Sequence, residues 1–234
     1  MSHPRSVPAI DALQWQDGAD EVYRSLHRGI EYVCSAQVHG DVAEFGTSSG
    51  RTAMTLAKAM ADFGNRYARD DGLAEIKPRK LWLFDGFEGF PEAMHPIDKE
   101  SPHVACGTWG PGVTKDATPE VLLDMCGHVF DKNRIEIVAG WYSETIPKIE
   151  GLKLAFVHID CDFYESTFTV LDRLFAIESL QDGCAIFFDD WYCNHGNPKW
   201  GEQRAWADIV AKYKPSFTDW GAYATMGRKF IVHR

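Results

Sequence analysis

The chain has 234 residues and a net charge of -10, with 34 Asp and Glu against 24 Lys and Arg. The length suits one large α/β domain better than two small ones, and the acidic balance without a basic run argues against a nucleic-acid partner. The sequence has neither a signal-peptide core nor the roughly 20 apolar residues of a membrane span, and its six cysteines form no CxxC pair, so we expect a reduced, cytoplasmic protein without a membrane partner.

The first predicted element is an amphipathic helix over residues 21–38. Four apolar residues from Val22 to Val33 recur at spacings of four, four and three, which is the period of a helix with one buried face. Gly40 ends this helix, so we interpret residues 1–40 as a helical lead to the main domain.

A strand, a glycine turn and a helix follow the lead. Residues 41–45 read DVAEF, the turn GTSSG contains Gly46 and Gly50, and the next segment is a helix rich in Ala, Leu and Met. A charged connector over residues 65–80 leads to a second short strand, LWLF, which is followed directly by Asp85.

The middle of the chain loses its periodicity. Residues 86–118 collect glycines and prolines and predict a long loop. Loops of this length are uncommon in compact domains unless they are lids or disordered, so we expect a lid at about residues 91–118. Thr118 and Pro119 then predict the N-cap and the first residue of a short helix.

The second half alternates strands and helices. Its strand segments read RIEIVAG, KLAFVHID and GCAIFF, a helix is predicted at residues 202–213, and two final strands surround a turn at Met226 and Gly227. This order predicts an α/β fold with a doubly wound, mostly parallel seven-stranded sheet and a C-terminal antiparallel hairpin.

Acidic residues follow two of the predicted strands. Asp160 and Asp162 come after one apolar run, and Asp189 and Asp190 come after the next. Ligands of open parallel sheets bind beyond the carboxyl ends of the strands, and four carboxylates gathered there are costly without a cation. The pattern therefore predicts a divalent-cation site. The alternative is that the Asp pair only caps the following helix.

The first two strands carry a second set of candidate residues. Gly46 and Gly50 allow the backbone to approach a ligand closely, but their GxxxG spacing is not the GxGxxG of dinucleotide-binding folds, and no P-loop is present. Asp85 can accept hydrogen bonds from ribose hydroxyls, as acidic residues at this point of nucleoside-binding sheets often do. The alternative is that Asp85 only caps a turn.

Five motifs in a fixed order resemble the macrocin O-methyltransferase family: EFGTSSGRTA, LFDGFEGFPE, GWYSETIP, HIDCDFYEST and FFDDWY. The resemblance covers residues 41–234 and implies a class I, Rossmann-like methyltransferase domain. It implies S-adenosylmethionine as methyl donor, a divalent cation, usually Mg²⁺, and a sugar hydroxyl of a small molecule from natural-product biosynthesis as acceptor.

The resemblance also implies roles for individual residues. Asp160, Asp189 and Asp190 match the metal ligands of the family, and Asp162 matches its proposed general base. The residues implied for donor binding are Glu44, Gly46, Thr47, Gly50, Asp85, Gly86, Phe87, Gly140, Trp141 and Ser143.

Several alternatives stay open. His195 is a second candidate base, whereas His158 lies in an apolar run and is expected to be a hydrogen-bonded core histidine. Trp109, Trp191 and Trp200 are candidates for an acceptor-binding wall, or for the core. The alternative functions are a catechol-type O-methyltransferase acting on a phenolic diol, a nicotinamide-dependent oxidoreductase and a non-catalytic metal- or nucleoside-binding module. Homo-oligomerisation is also left open.

Overall fold

The fold is built on one mixed sheet, which has seven strands within residues 17–64 and 78–234, the part of the chain that the computed structural model describes. The first 16 residues of the predicted lead and residues 65–77 of the predicted connector lie outside this part. The strands are β1 (Asp41–Phe45), β2 (Leu81–Asp85), β3 (Ile135–Ala139), β4 (Leu154–Ile159), β5 (Leu180–Phe188), β6 (Ser216–Tyr223) and β7 (Gly227–His233).

The order of the strands confirms the predicted fold class. It runs β3-β2-β1-β4-β5-β7-β6, in which the first five strands are parallel and β7 is antiparallel to both of its neighbours. Strand order reverses beside β1, because the chain first builds outward through β2 and β3 and then returns to add β4 next to β1. This reversal opens a crevice at the carboxyl ends of β1 and β4.

Helices cover both faces of the sheet. They are α1 (Asp17–Ser35), α2 (Arg51–Gly64), α3 (Pro96–Lys99), α4 (Pro102–Ala105), α5 (Pro119–Gly127), α6 (Tyr142–Thr145), α7 (Tyr164–Ala176) and α8 (Gly201–Tyr213). One core lies under α1, α2 and α5 and includes Leu26, Leu56 and Leu122; the other lies under α7 and α8 and includes Leu171 and Ile209. None of the helices in the described ranges is both long and apolar enough to span a bilayer.

The central strands are apolar because both of their sides are covered. All six residues of β4 are buried, as are the last five residues of β5. This continuous burial explains why the two sequence runs show no alternation of apolar and polar residues. β5 begins at Leu180, before the predicted start at Gly183, because Leu180 pairs with Leu154 of β4. The register of the two strands is irregular after this pair, and the polar residues 181 and 182 hide the start of the strand in the sequence.

The predicted long loop contains α3 and α4, which the sequence pattern did not predict. Each helix begins on a proline, and the side chains of His95 and Ser101 accept hydrogen bonds from the first-turn amides. Four-residue helices are too short to produce periodicity. Within α3, the buried Asp98 accepts hydrogen bonds from the backbone amides of Tyr164 (2.7 Å) and Glu165 (3.0 Å), so this segment is attached to the start of α7.

Other element boundaries differ by a few residues from the prediction. α1 ends at Ser35 instead of residue 38, because Gln37 adopts a left-handed conformation that ends the helix. The N-cap at Thr118 is as predicted, with its side chain accepting from the Val121 amide. The turn of the final hairpin lies between Tyr223 and Gly227.

Candidate functional site

Three carboxylates converge at the carboxyl ends of β4 and β5. The two strands are parallel neighbours, with Ile159 opposite Phe188, so the residues after them meet at the same edge of the sheet. One oxygen each of Asp160, Asp162 and Asp190 lies within 4.8 Å of the other two, and all three side chains are partly buried. We call Asp160, Asp162 and Asp190 the carboxylate cluster.

Electrostatic repulsion is concentrated in this cluster. Burial, followed by the charges of Asp189 and Asp190, raises the pKa of Asp160 well above its ordinary value. Burial, with Asp190 and Asp160, does the same to the pKa of Asp162. Burial and the neighbouring carboxylates therefore both disfavour the ionised form of these groups in the protein alone. A set of oxygen ligands at this spacing suits Mg²⁺ or a similar hard cation, which would neutralise the repulsion.

Glu202 adds a further carboxylate that the sequence analysis missed. It is the second residue of α8 and is 1% exposed. Its Oε2 accepts a hydrogen bond from the Asp190 amide (3.0 Å), whereas its Oε1 is buried without a hydrogen-bond partner in the described part of the chain. The available sequence signal was an acidic residue in the first turn of the helix after the DDWY motif, which is also an ordinary feature of helix starts.

Asp189 accepts its side-chain hydrogen bond from a residue outside the carboxylate cluster. Its Oδ1 accepts a hydrogen bond from the Tyr223 hydroxyl (3.1 Å) and lies 3.8 Å from His158 Nε2. His158 is fully buried, and its other ring nitrogen, Nδ1, lies 2.9 Å from Glu44 Oε1. Burial alone would lower the pKa of His158, but Asp189 and Glu44 outweigh it and raise that pKa well above its ordinary value. His158 is therefore a partnered core histidine, as predicted.

The glycine turn after β1 lies against the end of β4. A Cβ atom on Gly46 would be 1.8 Å from the Asp160 carbonyl oxygen, and Gly46 has a φ of 91°. Gly50 has a φ of 78°, and a Cβ there would be 2.7 Å from Leu122 Cδ1. Both positions therefore require glycine. The turn leads directly into α2 and brings the donor-binding candidates next to the carboxylate cluster.

Asp85 holds the glycine turn in place. Its Oδ2 accepts hydrogen bonds from the Thr47 amide (2.7 Å), the Thr47 hydroxyl (2.9 Å) and the Ser48 amide (3.2 Å). Its Oδ1 accepts from the Phe87 amide (2.6 Å). Asp85 therefore caps two turns, which was the alternative to ribose binding. A carboxylate oxygen has two lone pairs, so Oδ1 can still accept one more hydrogen bond.

The remaining donor-binding candidates lie beside Asp85. The Gly140 amide donates to the Asp85 carbonyl oxygen (2.9 Å), which places the end of β3 next to the end of β2. Trp141 is partly exposed, and its ring covers Gly86, where a Cβ would lie 3.2 Å from the indole. Ser143 is exposed in α6. Glu44, by contrast, is fully buried beneath the crevice with His158.

His195 lies on the loop after β5, at the surface of the protein. His195 is exposed and adopts a left-handed conformation with a φ of 61°. Its neighbour Asn194 is buried and exchanges hydrogen bonds with His103: the Asn194 amide donates to His103 Nδ1 (3.1 Å), and the His103 amide donates to Asn194 Oδ1 (3.0 Å). The predicted lid therefore contacts the loop after β5 through His103, which the sequence pattern did not identify.

Two of the three candidate tryptophans belong to aromatic clusters inside the protein. Trp109 is buried and its ring centroid lies 4.7 Å from that of His103. Trp191 lies 5.2 Å from Phe188 between the ring centroids. Trp200 is partly buried and is the N-cap of α8. An acceptor wall made of these residues remains a prediction.

A cavity of about 940 Å³ lies elsewhere on the molecule. It runs along the face of β2 and β3 between Trp82 and Val138, and its rim includes His39 and Lys153 at the amino ends of β1 and β4. Its lining includes none of the carboxylates predicted from the sequence. We therefore place the candidate site at the carboxyl ends of the strands and not in this cavity.

Comparison with known proteins finds a matching family and similar proteins. A family model described as macrocin O-methyltransferase matches residues 19–212. Two similar proteins are the 8-demethyl-8-(2,3-dimethoxy-alpha-L-rhamnosyl)-tetracenomycin-C 4'-O-methyltransferase of Streptomyces olivaceus, 25% identical over 71% of this chain, and the mycinamicin III 3''-O-methyltransferase of Micromonospora griseorubida, 26% identical over 72% of this chain. The chain spans 59% and 61% of the length of these two relatives.

A solved structure with the same architecture is that of the O-methyltransferase NovP. It superposes with a TM-score of 0.70 and 18% sequence identity, over 92% of this chain and 80% of NovP. At this identity the likeness shows that the two proteins share a fold.

Proposed function

Because this chain belongs to the macrocin O-methyltransferase family, we propose that it transfers a methyl group from S-adenosylmethionine to a hydroxyl of a sugar or glycosylated small molecule, with a divalent cation. The observation that carries the proposal is the position of the carboxylate cluster against the glycine turn, through the contact between Gly46 and the Asp160 backbone. Nothing within the described residues favours the catechol-type or the nicotinamide-dependent alternative.

The donor would lie in the crevice above Gly46 and Gly50. The glycine turn brings the backbone close to the end of β4 there, and the remaining acceptor capacity of Asp85 suits a ribose hydroxyl. Trp141 offers an exposed ring beside Asp85 for the adenine. The donor is a sulfonium cation, so an acidic crevice also favours it electrostatically.

The cation would be held by oxygens of the carboxylate cluster, and the resemblance adds Asp189 as a ligand. These residues fit a hard cation, since the oxygen spacing, the mutual repulsion and the unpartnered Glu202 Oε1 all call for positive charge. When bound, a cation at this place supplies Lewis acidity and orients neighbouring hydroxyls.

In the reaction, Asp162 would accept the proton of the acceptor hydroxyl. The hydroxyl oxygen forms a bond to the donor methyl carbon while the bond from that carbon to sulfur breaks, which leaves S-adenosylhomocysteine. This displacement requires an in-line approach and so depends on positioning more than on covalent help. Residues 91–118 are proposed as the lid that excludes water, with Asp98 and His103 as its contacts to the rest of the domain.

Transfer of a labelled methyl group tests the proposal. The full chain is incubated with methyl-labelled S-adenosylmethionine, Mg²⁺ and a panel that contains glycosides with vicinal hydroxyls and phenolic diols. We expect label in the glycosides. Label in the phenolic diols alone would move the assignment to the catechol-type enzyme, and calorimetric binding of NADH without binding of S-adenosylmethionine would remove the methyltransferase assignment.

Asp85→Asn should weaken donor binding. The amide accepts only at its single oxygen, whereas Asp85 accepts at both carboxylate oxygens, so the variant loses a charge-assisted hydrogen bond to the ribose and disturbs the glycine turn. We expect a loss of about 1.5 to 3 kcal/mol, the usual value for hydrogen bonds to charged groups, measured by calorimetry with S-adenosylhomocysteine. Asp116→Asn is the matched control, because the exposed Asp116 carboxylate also contacts this turn, through Ser48. Equal affinities of the two variants would contradict a ribose role for Asp85.

The effect of Mg²⁺ on stability should depend on pH. The folded protein without a cation holds protons on Asp160 and Asp162 more tightly than the unfolded chain does, so their contribution to stability is present at low pH and falls as pH rises from about 4 through the raised pKa. A cation binds the deprotonated form, so its stabilising effect grows over the same range.

We therefore expect saturating Mg²⁺ to raise Tm little near about pH 5 and clearly more near about pH 8, measured by scanning calorimetry. A Tm increase of equal size at both pH values would contradict cation binding by these carboxylates.

A further inference from the structure

Glu202 occupies an unusual place for an acidic residue in the first turn of a helix. Such residues normally lie at the surface, where they interact favourably with the helix dipole. Glu202 is instead 1% exposed, because α8 begins against the loop after β4. A Cβ on Gly201 would lie 3.2 Å from the Asp162 carbonyl oxygen, so the close approach depends on glycine. This approach carries the Glu202 carboxylate to the edge of the carboxylate cluster.

We propose that Glu202 is a further carboxylate of the cation site, which holds the Asp190 backbone through Oε2 and presents Oε1 to the ligand and water shell of the cation. The inference rests on the proposed function, since it assumes that the carboxylate cluster binds a divalent cation. Its ligand class is a hard divalent cation such as Mg²⁺ or Mn²⁺.

The unpartnered oxygen is the first argument. Glu202 Oε1 is buried and accepts no hydrogen bond from the described residues. Buried carboxylate oxygens without a partner destabilise a fold, so a purely structural role would be better served by glutamine or a smaller capping residue. Glutamine would keep an acceptor for the Asp190 amide. A carboxyl group with one buried, unpartnered oxygen at this place therefore points to a positive ligand.

The charges around Glu202 are the second argument. Glu202 Oε2 lies 3.0 Å from the Asp190 amide nitrogen, so the Glu202 carboxylate lies beside the carboxylate cluster. The nearest basic residue in its own helix, Arg204, is turned away and pairs with Asp208 (2.9 Å). Among residues 17–64 and 78–234, Glu202 forms no ion pair, and its one side-chain hydrogen bond comes from the Asp190 amide.

Mn²⁺ binding to the full chain tests the inference without donor, acceptor or turnover. Free Mn²⁺ is measured by electron paramagnetic resonance during titration of the wild type and of Glu202→Gln. The glutamine keeps the shape and the acceptor for the Asp190 amide but removes the charge. We expect Kd for Mn²⁺ to rise about tenfold or more, as is common when groups that support metal ligands are changed. Tm without metal should not fall.

Glu120→Gln is the matched control. Glu120 is also the second residue of its helix, α5, but it is exposed. Its Kd for Mn²⁺ should equal that of the wild type. Glu202→Asp supplies a second variant that keeps the charge, and it should bind Mn²⁺ more tightly than Glu202→Gln does.

The outcomes separate the inference from the function that it rests on. If the wild type fails to bind Mn²⁺, the proposed cation site itself is wrong. If the wild type binds Mn²⁺ and Glu202→Gln binds it equally well, the cation site stands and the inference about Glu202 is overturned. A lower Tm for Glu202→Gln with an unchanged Kd would make Glu202 a structural cap of the Asp190 loop.

Discussion

Asp162→Asn is expected to lower turnover by about 10²- to 10⁴-fold, the usual contribution of general acid–base catalysis, while donor binding is retained. The substitution replaces the carboxylate that would accept the hydroxyl proton by an amide of nearly the same size and shape. Asp162 has a φ of 60°, a conformation that Asn tolerates better than Ala, so the backbone of the loop is not strained by the change. Single-turnover kinetics with saturating donor measures the effect.

The structure makes Asp162 a candidate for two roles, because its carboxylate also belongs to the carboxylate cluster. Mn²⁺ affinity separates them. A base that does not bind the cation leaves Kd for Mn²⁺ unchanged in Asp162→Asn, whereas a ligand weakens it together with turnover. Unchanged turnover in this variant would remove both roles.

His195→Asn is the control for the choice of base. His195 also has a left-handed backbone, with a φ of 61°, so Asn again avoids strain. Because His195 is exposed, we expect its variant to keep turnover within about twofold of the wild type. Loss of turnover in His195→Asn, with Asp162→Asn unaffected, would assign the base to His195.

The parts of the fold that were predictable have a local signal. β4 and the second half of β5 are continuous apolar runs because both sides are buried, and Asp160 and Asp189 follow them directly. Parallel pairing then brings the strand ends together, so the presence of an acidic site was also predictable. The glycine turn was visible because Gly46 and Gly50 are needed for close approach.

The parts that were not predictable depend on contacts between distant residues. His103 meets Asn194 across 91 positions, and no pattern near either residue indicates the pairing. Glu202 has the sequence context of an ordinary helix start, but it is buried where Gly201 lies close to Asp162. The detailed grouping of the acidic residues was likewise hidden, because side-chain direction after a strand end is set by irregular turns.

Removal of divalent cations is expected to lower turnover by about 10³-fold or more, which corresponds to the several kcal/mol of charge stabilisation that a bound cation supplies. Excess chelator should produce this loss, and added Mg²⁺ should restore the activity. The physical reason is that the carboxylates of the site repel one another, so they hold neither each other nor an acceptor hydroxyl in place without positive charge.

Asp189→Asn tests whether the cation also depends on the residue that contacts Tyr223 and His158 instead of the carboxylate cluster. The variant keeps an acceptor for the Tyr223 hydroxyl but loses its charge, so we expect weaker Mn²⁺ binding by about tenfold or more and unchanged affinity for S-adenosylhomocysteine. Asp182→Asn is the control, because Asp182 is an exposed carboxylate near the opposite end of β5. Equal Mn²⁺ affinity of the two variants would show that Asp189 is not part of the cation site. Full turnover of the wild type in excess chelator would show that the reaction requires no cation.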